Sequence, residues 1–226
     1  MAGETTGLRE SKKQETRQLI SDEATRLFLE QGFEQTTIAD IAAAARVAKK
    51  TVTNYFARKE DLALDHHEEF VAGLAGAVAA REPGESALGA LRRAFLAALG
   101  ERDPVAGFSG AAFSRMIAES PTLTARLRDL HDQRERALAE TLAAVTGADA
   151  GTITPRAVAA QLGAAHRVLF QRIQELTLAG HDNAHIADLV GPEAAEVFDL
   201  LEPALGDYAV APTRCDPPPA PRCSGS

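Results

Sequence analysis

The chain has 226 residues, of which 45% are hydrophobic and 25% charged, with a formal net charge of −8. That is the balance of a globular chain of one or two domains, and no apolar run approaches the roughly 20 residues that span a bilayer. Residues 1–18 lack the apolar stretch of a secretory leader, and the only cysteines, Cys215 and Cys223, sit in a Pro-rich tail, so a disulfide framework is excluded and a cytoplasmic address without membrane association is expected.

Apolar residues recur every three or four positions and no run alternates apolar with polar, so an all-α chain is predicted. The first helix is expected over 11–31, with Ile20, Ala24, Leu27 and Phe28 as its apolar stripe. Gly32 ends it and Phe33 folds back on its last turn. Thr36 or Thr37 caps a short second helix over 38–44, and Asp40 stands three residues after Thr37, as in a capping box. Ile38, Ile41, Ala42 and Ala45 face inward. A third helix over 49–56 buries Ala48, Val52 and Phe56, which stand four residues apart.

One helix is predicted from 59 to 80, carrying Leu62, Phe70, Leu74 and Val78. Others follow over 86–99, 104–120, 122–146 and 155–179, the last with Pro155 in its first position. The final helix is expected over 192–205. From Pro212 onward, five prolines in fifteen residues leave a segment that cannot build a core. The expected organisation is a DNA-binding domain over 1–58, a helical regulatory domain over 59–208 and a disordered tail over 209–226.

The second and third helices, joined by the tight turn Ala45-Arg46-Val47, have helix-turn-helix spacing. Charge is unevenly placed to match. Residues 1–60 carry ten basic and nine acidic residues, against fourteen and twenty-three in 61–226. Arg46, Lys49, Lys50, Arg58 and Lys59 fall within 46–59 with no acid among them. A small basic surface on an acidic body suits a protein that touches phosphate at one end. With the third helix as reader, Lys49, Lys50, Thr51, Thr53, Asn54 and Tyr55 point outward. Asn pairs with an adenine edge, Lys with guanine and a Thr methyl with a thymine methyl. Thr51 and Tyr55 suit phosphate oxygens, and Thr37 and Lys59 sit at helix N-termini, which attract phosphate.

The stretch from Arg17 to Leu62 resembles the N-terminal domain of the TetR (tetracycline-repressor-like) family of bacterial regulators. The match is carried by Ala24, Leu27-Phe28, Gly32-Phe33, Thr36-Thr37-Ile38, Asp40-Ile41-Ala42, Val47, Thr51-Val52, Tyr55-Phe56 and Lys59-Glu60-Asp61-Leu62. The resemblance implies an all-α homodimer, a double-stranded DNA operator and a small-molecule effector whose binding moves the fourth helix. It implies phosphate contacts from Thr37, Thr51, Tyr55 and Lys59, and places Lys49, Lys50, Thr53 and Asn54 in or near the major groove. Two positions depart from the family pattern. Arg46 stands where Gly is usual, which demands either a left-handed arginine or a different turn, and Arg46 can itself reach phosphate. Ala48 stands where Ser usually caps the reading helix.

For the regulatory half, the last two long helices are expected to form a four-helix interface between subunits. Ala159, Ala160, Gly163 and Ala164 would allow close approach, and Val197, Phe198, Leu201 and Leu205 would supply apolar cover. An apolar cavity is expected from Phe70, Phe95, Phe113, Met116, His166 and Phe170, along with Leu99, Phe108, Ile117, Leu169 and Ile173. The segment 163–205 has a weak likeness to regulators of acyl-CoA-like ligands. His66 and Glu69 share a helix face, but no further ligand is spaced to complete a metal site, and a solvated face is the expectation. There is no G-x-S-x-G, P-loop or G-x-G-x-x-G sequence. The expectation is a ligand-responsive regulator without cofactor or catalytic residues, a repressor in the first instance. A helical carrier or enzyme that no longer reads DNA stays open as the alternative.

Overall fold

The computed structural model describes residues 3–149 and 151–213, with side chains from Ser11 onward. The described residues form ten α-helices and one 3-10 turn, and no strand. Helices α1 (Gly3–Gln31), α2 (Ile38–Ala44) and α3 (Lys49–Tyr55) make the N-terminal unit. The stripe Ile20, Ala24, Leu27 and Phe28 is buried, as its spacing predicts. Gly32 takes φ 89 and turns the chain so that Phe33 packs on Phe28, ring centroids 5.0 Å apart.

The helix expected over 59–80 is two helices, α4 (Lys59–Ala63) and α5 (His67–Ala79). Leu64 leaves helical geometry at φ −111 and ψ 54. The bend is held because the Leu64 carbonyl accepts the His67 backbone N–H at 2.9 Å and faces the His67 Nδ1 at 2.8 Å. The five residues 65–69 are all polar, so the apolar stripe lapses there, as it would over a solvated turn of one continuous helix.

The regulatory unit continues with α6 (Ala87–Glu101), the 3-10 turn Pro104–Ala106, α7 (Ala111–Glu119), α8 (Pro121–Thr146), α9 (Thr154–Leu178) and α10 (Asn183–Leu205). The single helix expected over 104–120 is therefore interrupted. Gly107 at φ 126 and Gly110 at φ 81 break it. Helix α10 starts nine residues before Pro192, at the cap Asp182, whose carboxylate accepts the His185 N–H at 2.9 Å. Pro192 lies inside the helix. Asp188, whose carbonyl lacks the proline's missing donor, is exposed, so that oxygen can take its hydrogen bond from water.

Helix α5 packs along α8, α8 against α9, and α10 against α6 and α9. Leu91, Leu138, Leu142, Leu162, Ile173 and Val190 are all fully enclosed in this core. Ala159, Phe198 and Leu205, expected on a subunit interface, are instead buried inside the chain. After α10 the chain returns to the loop before α6, where Ala211 exchanges hydrogen bonds of 2.9 Å with Gly84 and Glu85. Residues 214–226, with Cys215 and Cys223, lie outside the described part.

Gly107 is the tightest point between the 3-10 turn and α9. A Cβ there would lie 3.1 Å from Ile173 Cγ2 and 3.3 Å from the Phe170 carbonyl oxygen, at a φ that L-residues avoid. Gly107→Ala is expected to cost about 1–3 kcal/mol, read as a lower urea midpoint. Gly100→Ala, in open space and without a positive φ, should cost less. Equal midpoints for the two variants would contradict this close packing.

Candidate nucleic-acid interface and the cavity behind it

The helix-turn-helix begins on a complete capping box. Thr37 N–H donates to Asp40 Oδ2 at 2.9 Å, and Asp40 N–H donates to Thr37 Oγ1 at 3.2 Å. Hydrogen bonds from Thr37 hold the Asp40 carboxyl below its ordinary pKa. The turn is a Schellman motif: Val47 N–H reaches the Ala42 carbonyl at 2.9 Å and Arg46 N–H the Ala43 carbonyl at 3.2 Å. It needs a left-handed residue, and Arg46 supplies it at φ 54. The glycine conformation is thus kept without glycine, at a backbone cost of about 1–2 kcal/mol, and the side chain stays exposed.

On α3, Val52 and Phe56 are buried as expected. Ala48 is not. It is the N-cap, extended at φ −70 and ψ 145, exposed, and without a side-chain bond to the first turn. Lys49, Lys50, Thr53 and Asn54 are exposed, while Thr51 and Tyr55 are half-buried. Thr53 Oγ1 donates to the Lys50 carbonyl at 3.1 Å, which occupies its hydroxyl. No hydrogen bond or ion pair is made by the side chains of Arg46, Lys49, Lys50 or Arg58 among the described residues.

Two cations near this surface are structural clamps. Lys59 Nζ donates to the carbonyls of Phe33 at 2.8 Å and Thr36 at 3.1 Å, and lies 4.1 Å from the Phe33 ring centroid. It fixes α4 to the loop after α1, with one ammonium proton left over. Arg17 donates to the Tyr55 carbonyl at 3.3 Å and lies 4.6 Å over Phe56, so α1 holds the end of α3. Nothing in the residue pattern marks the Arg17 contact beyond its place on α1.

The reading head is joined to the body by buried polar contacts that sequence inspection missed. Arg126 on α8 donates to Asp61 Oδ1 through Nε at 3.1 Å and Nη2 at 2.8 Å, with both side chains at most 10% exposed. Arg126 also pairs with Asp129. Ser21 Oγ donates to Asp65 at 2.5 Å, and Ser120 Oγ to Glu34 at 2.6 Å, which lowers the Glu34 pKa.

Behind the α4–α5 bend lies an apolar cavity of about 270 Å³, walled by Leu64, Phe70, Phe108, Phe113, Ile117, Leu130 and Phe170, with Thr25, Asp65 and His66 at its edge. A second chamber of about 180 Å³ shares Val105 and Phe170 with it and is walled by Phe95, Arg134 and His166. Of the expected cavity residues, Phe70, Phe113 and Phe170 line the first chamber, and Phe95 and His166 the second. Met116 lines a different depression, beside Phe28 and Phe33. Leu99, Leu169 and Ile173 line neither chamber. His66 Nδ1 faces Glu69 at 3.3 Å, and no metal-binding cluster occurs among the described residues.

Burial, reinforced by the Arg134 charge, pushes the His166 pKa from 6.5 down to about 3. Burial followed by the charges of Arg134 and Arg167 takes His131 to about 4. In the unfolded chain both bind protons near pH 6.5. Their neutral burial is therefore fully favourable above that pH. It is lost as pH falls from 6.5 towards the folded-state values, by up to about 1.4 kcal/mol per pH unit for each histidine. Urea midpoints should fall accordingly on acidification, and His166→Phe should flatten the fall. A midpoint independent of pH across that window would contradict neutral burial.

Comparison with known proteins agrees with this geometry. The description "Bacterial regulatory proteins, tetR family" matches residues 20–65, and that of the MftR C-terminal domain matches residues 85–205. Over 169 residues the chain is 35% identical to the HTH-type transcriptional regulator TcmR of Streptomyces glaucescens, covering 72% of this chain and 75% of that protein. Salmonella enterica GusR superposes with a TM-score of 0.52 at 18% identity, over 84% of this chain and 95% of its own. The SmeT–triclosan complex does so at 0.53 and 19%, over 90% and 99%. These two likenesses show the fold alone. Among the described residues no helix is long and apolar enough to cross a membrane. The helix-turn-helix, the helical body and the identity to TcmR together make the chain a member of the TetR family of bacterial transcriptional regulators, with an MftR-like C-terminal domain.

Proposed function

We propose that the chain is a cytoplasmic repressor that binds a near-palindromic operator as a homodimer and lets go when a small apolar or acyl-type molecule fills the cavity. The observation that carries this reading is the exposed, unpaired basic strip Arg46, Lys49, Lys50 and Arg58 on and beside α3. It ends at Arg58, the N-cap of α4, and the junction of α4 with α5 is itself cavity wall. Lys49, Lys50, Thr53 and Asn54 read base edges. Thr37, Arg46, Thr51, Tyr55 and the spare Lys59 proton hold phosphates and fix the register.

The dimer is supported by apolar side chains that the single chain leaves in water on its last two helices. Val168 is 55% exposed and Leu200 80%, on α9 and α10. Two copies place their reading helices about 34–36 Å apart, one turn of duplex. Phe70, Phe113 and Phe170 grip the effector body, with Phe95 and His166 in the adjoining chamber. A molecule that swells the first chamber presses on Leu64 and His66 and so tilts α4. A coupling of about 1–3 kcal/mol then releases the operator.

A footprint on the DNA flanking its own gene should show a near-symmetric protected site, with the logarithm of affinity falling linearly with the logarithm of salt. Failure to protect any duplex from its genome, or binding as a monomer, would overturn the proposal. Lys50→Ala and Tyr55→Phe, which keeps the ring's packing and removes only the hydroxyl, should each weaken operator binding by about 1–3 kcal/mol at unchanged melting temperature. Lys59→Met should lower the melting temperature as well. Parental affinity in the first two variants would remove α3 from the groove.

A further inference from the structure

The second chamber holds polar groups that nothing in the chain satisfies. Arg134, on α8, is half-buried, with its guanidinium 4.4 Å over the Phe70 ring. Its Nε has no hydrogen-bond partner, and no carboxylate comes within ion-pairing distance of it among the described residues. The two acids that line the chamber are engaged elsewhere. Asp103 accepts the Val105 N–H at 2.8 Å, and Glu69 faces His66 at 3.3 Å. His166 Nε2 is buried and equally unpartnered, its ring wedged between Phe95 and Phe198 at centroid distances of 5.7 and 5.6 Å. The two groups lie within electrostatic reach, since the Arg134 charge helps keep His166 neutral.

A cation with an enclosed, unpartnered Nε and no ion-paired carboxylate, favoured only by the more distant Asp103 charge, is a standing penalty to folding. Replacing it by an apolar side chain would relieve that penalty, so its presence points to a working state in which it is paired. Arginine is also the side chain suited to holding an anionic oxygen group with several donors at once. His166, held neutral, can add a hydrogen bond from Nε2 without adding a second charge. The wall around both groups is otherwise mainly apolar, and Val105 and Phe170 belong both to it and to the wall of the larger, aromatic chamber.

We propose that the effector is an apolar molecule bearing an anionic oxygen group, which docks on Arg134 and His166 while its body fills the chamber of Phe70, Phe113 and Phe170. This deepens the reading of the cavity as an effector site and rests on it. It specifies charge, where cavity shape alone specifies only size and apolarity.

The test is fluorescence titration of the full chain with two probes that share one apolar body. These are 8-anilino-1-naphthalenesulfonate and its uncharged counterpart N-phenyl-1-naphthylamine. The anion should bind the parent protein more tightly. Arg134→Met should weaken the anion by about tenfold or more, the loss of one charge-assisted hydrogen bond. It should leave the neutral probe unchanged and not lower the melting temperature. Arg134→Lys should retain most of the preference, and serves if the methionine variant does not fold. Val105→Trp, which adds bulk at the wall the two chambers share, should weaken both probes. If both probes bind the parent and Arg134→Met treats them alike, the anion site is wrong and the cavity reading stands. If neither binds the parent, or Val105→Trp affects neither, the cavity reading itself fails and this proposal falls with it.

Discussion

One long helix and two short ones bury too little apolar surface to hold a reading head firmly by themselves. In this chain the head's core is closed by the body. Phe28, Phe33, Ile41, Val52 and Phe56 belong to one apolar cluster with Met116 and Ile117 of α7 and Leu123 of α8. The buried pair Asp61–Arg126 ties α4 to α8 within that contact. An ion pair taken out of water contributes little net stability, but losing one partner is expensive. Its effect is to fix one arrangement of head on body, and the orientation of α3 follows from it.

Helix α8 is the common element. Leu123, Leu127, Leu130, Arg134 and Leu138 follow one another at three- and four-residue steps along one of its faces. Leu123 lies in the head's core, and Leu127 and Leu130 line the first chamber. Arg134 lines the second chamber and Leu138 the core of the body. A single rigid rod therefore touches DNA-reading unit, cavity and regulatory core in turn. The α4–α5 bend crosses it at the first chamber, where Ala63, Leu64, Asp65 and His66 all face the void. On the proposed mechanism, a molecule bound there needs no long relay to reach the head, because the hinge is part of its binding site.

Local chemistry decided what could be read from residues alone. The Thr37–Asp40 box, the Gly32 stop and the Val52–Phe56 spacing each act within a few residues, and each is found as written in the sequence. Arg46 keeps the left-handed turn that Gly would favour because the Schellman bonds over-determine it. Ala48 was misplaced by extending a four-residue spacing one step too far, past the helix into its cap. The start of α10 was legible, since Ile186 and Val190 continue the stripe of Ala194 and Phe198, but Pro192 drew the boundary onto itself. The bend at 64–66 was not legible, because the all-polar run 65–69 looks like one turn of a solvated helix face. Nor were Arg126 and Arg134, which on an arginine-rich helix look like any solvent-facing cation. Only the packing of α5 and α9 against α8 sets Arg134 apart.

The central claim is that two copies of α3 are held one duplex turn apart by a symmetric pair of these rigid units. The direct measurement is the distance between spin labels at Ala57→Cys, with Cys215 and Cys223 replaced by serine, in the operator-bound protein. A single narrow distribution within a label's reach of about 34–36 Å is expected. A complex with no label pair, or one with a distance that no groove spacing can accommodate, would contradict it.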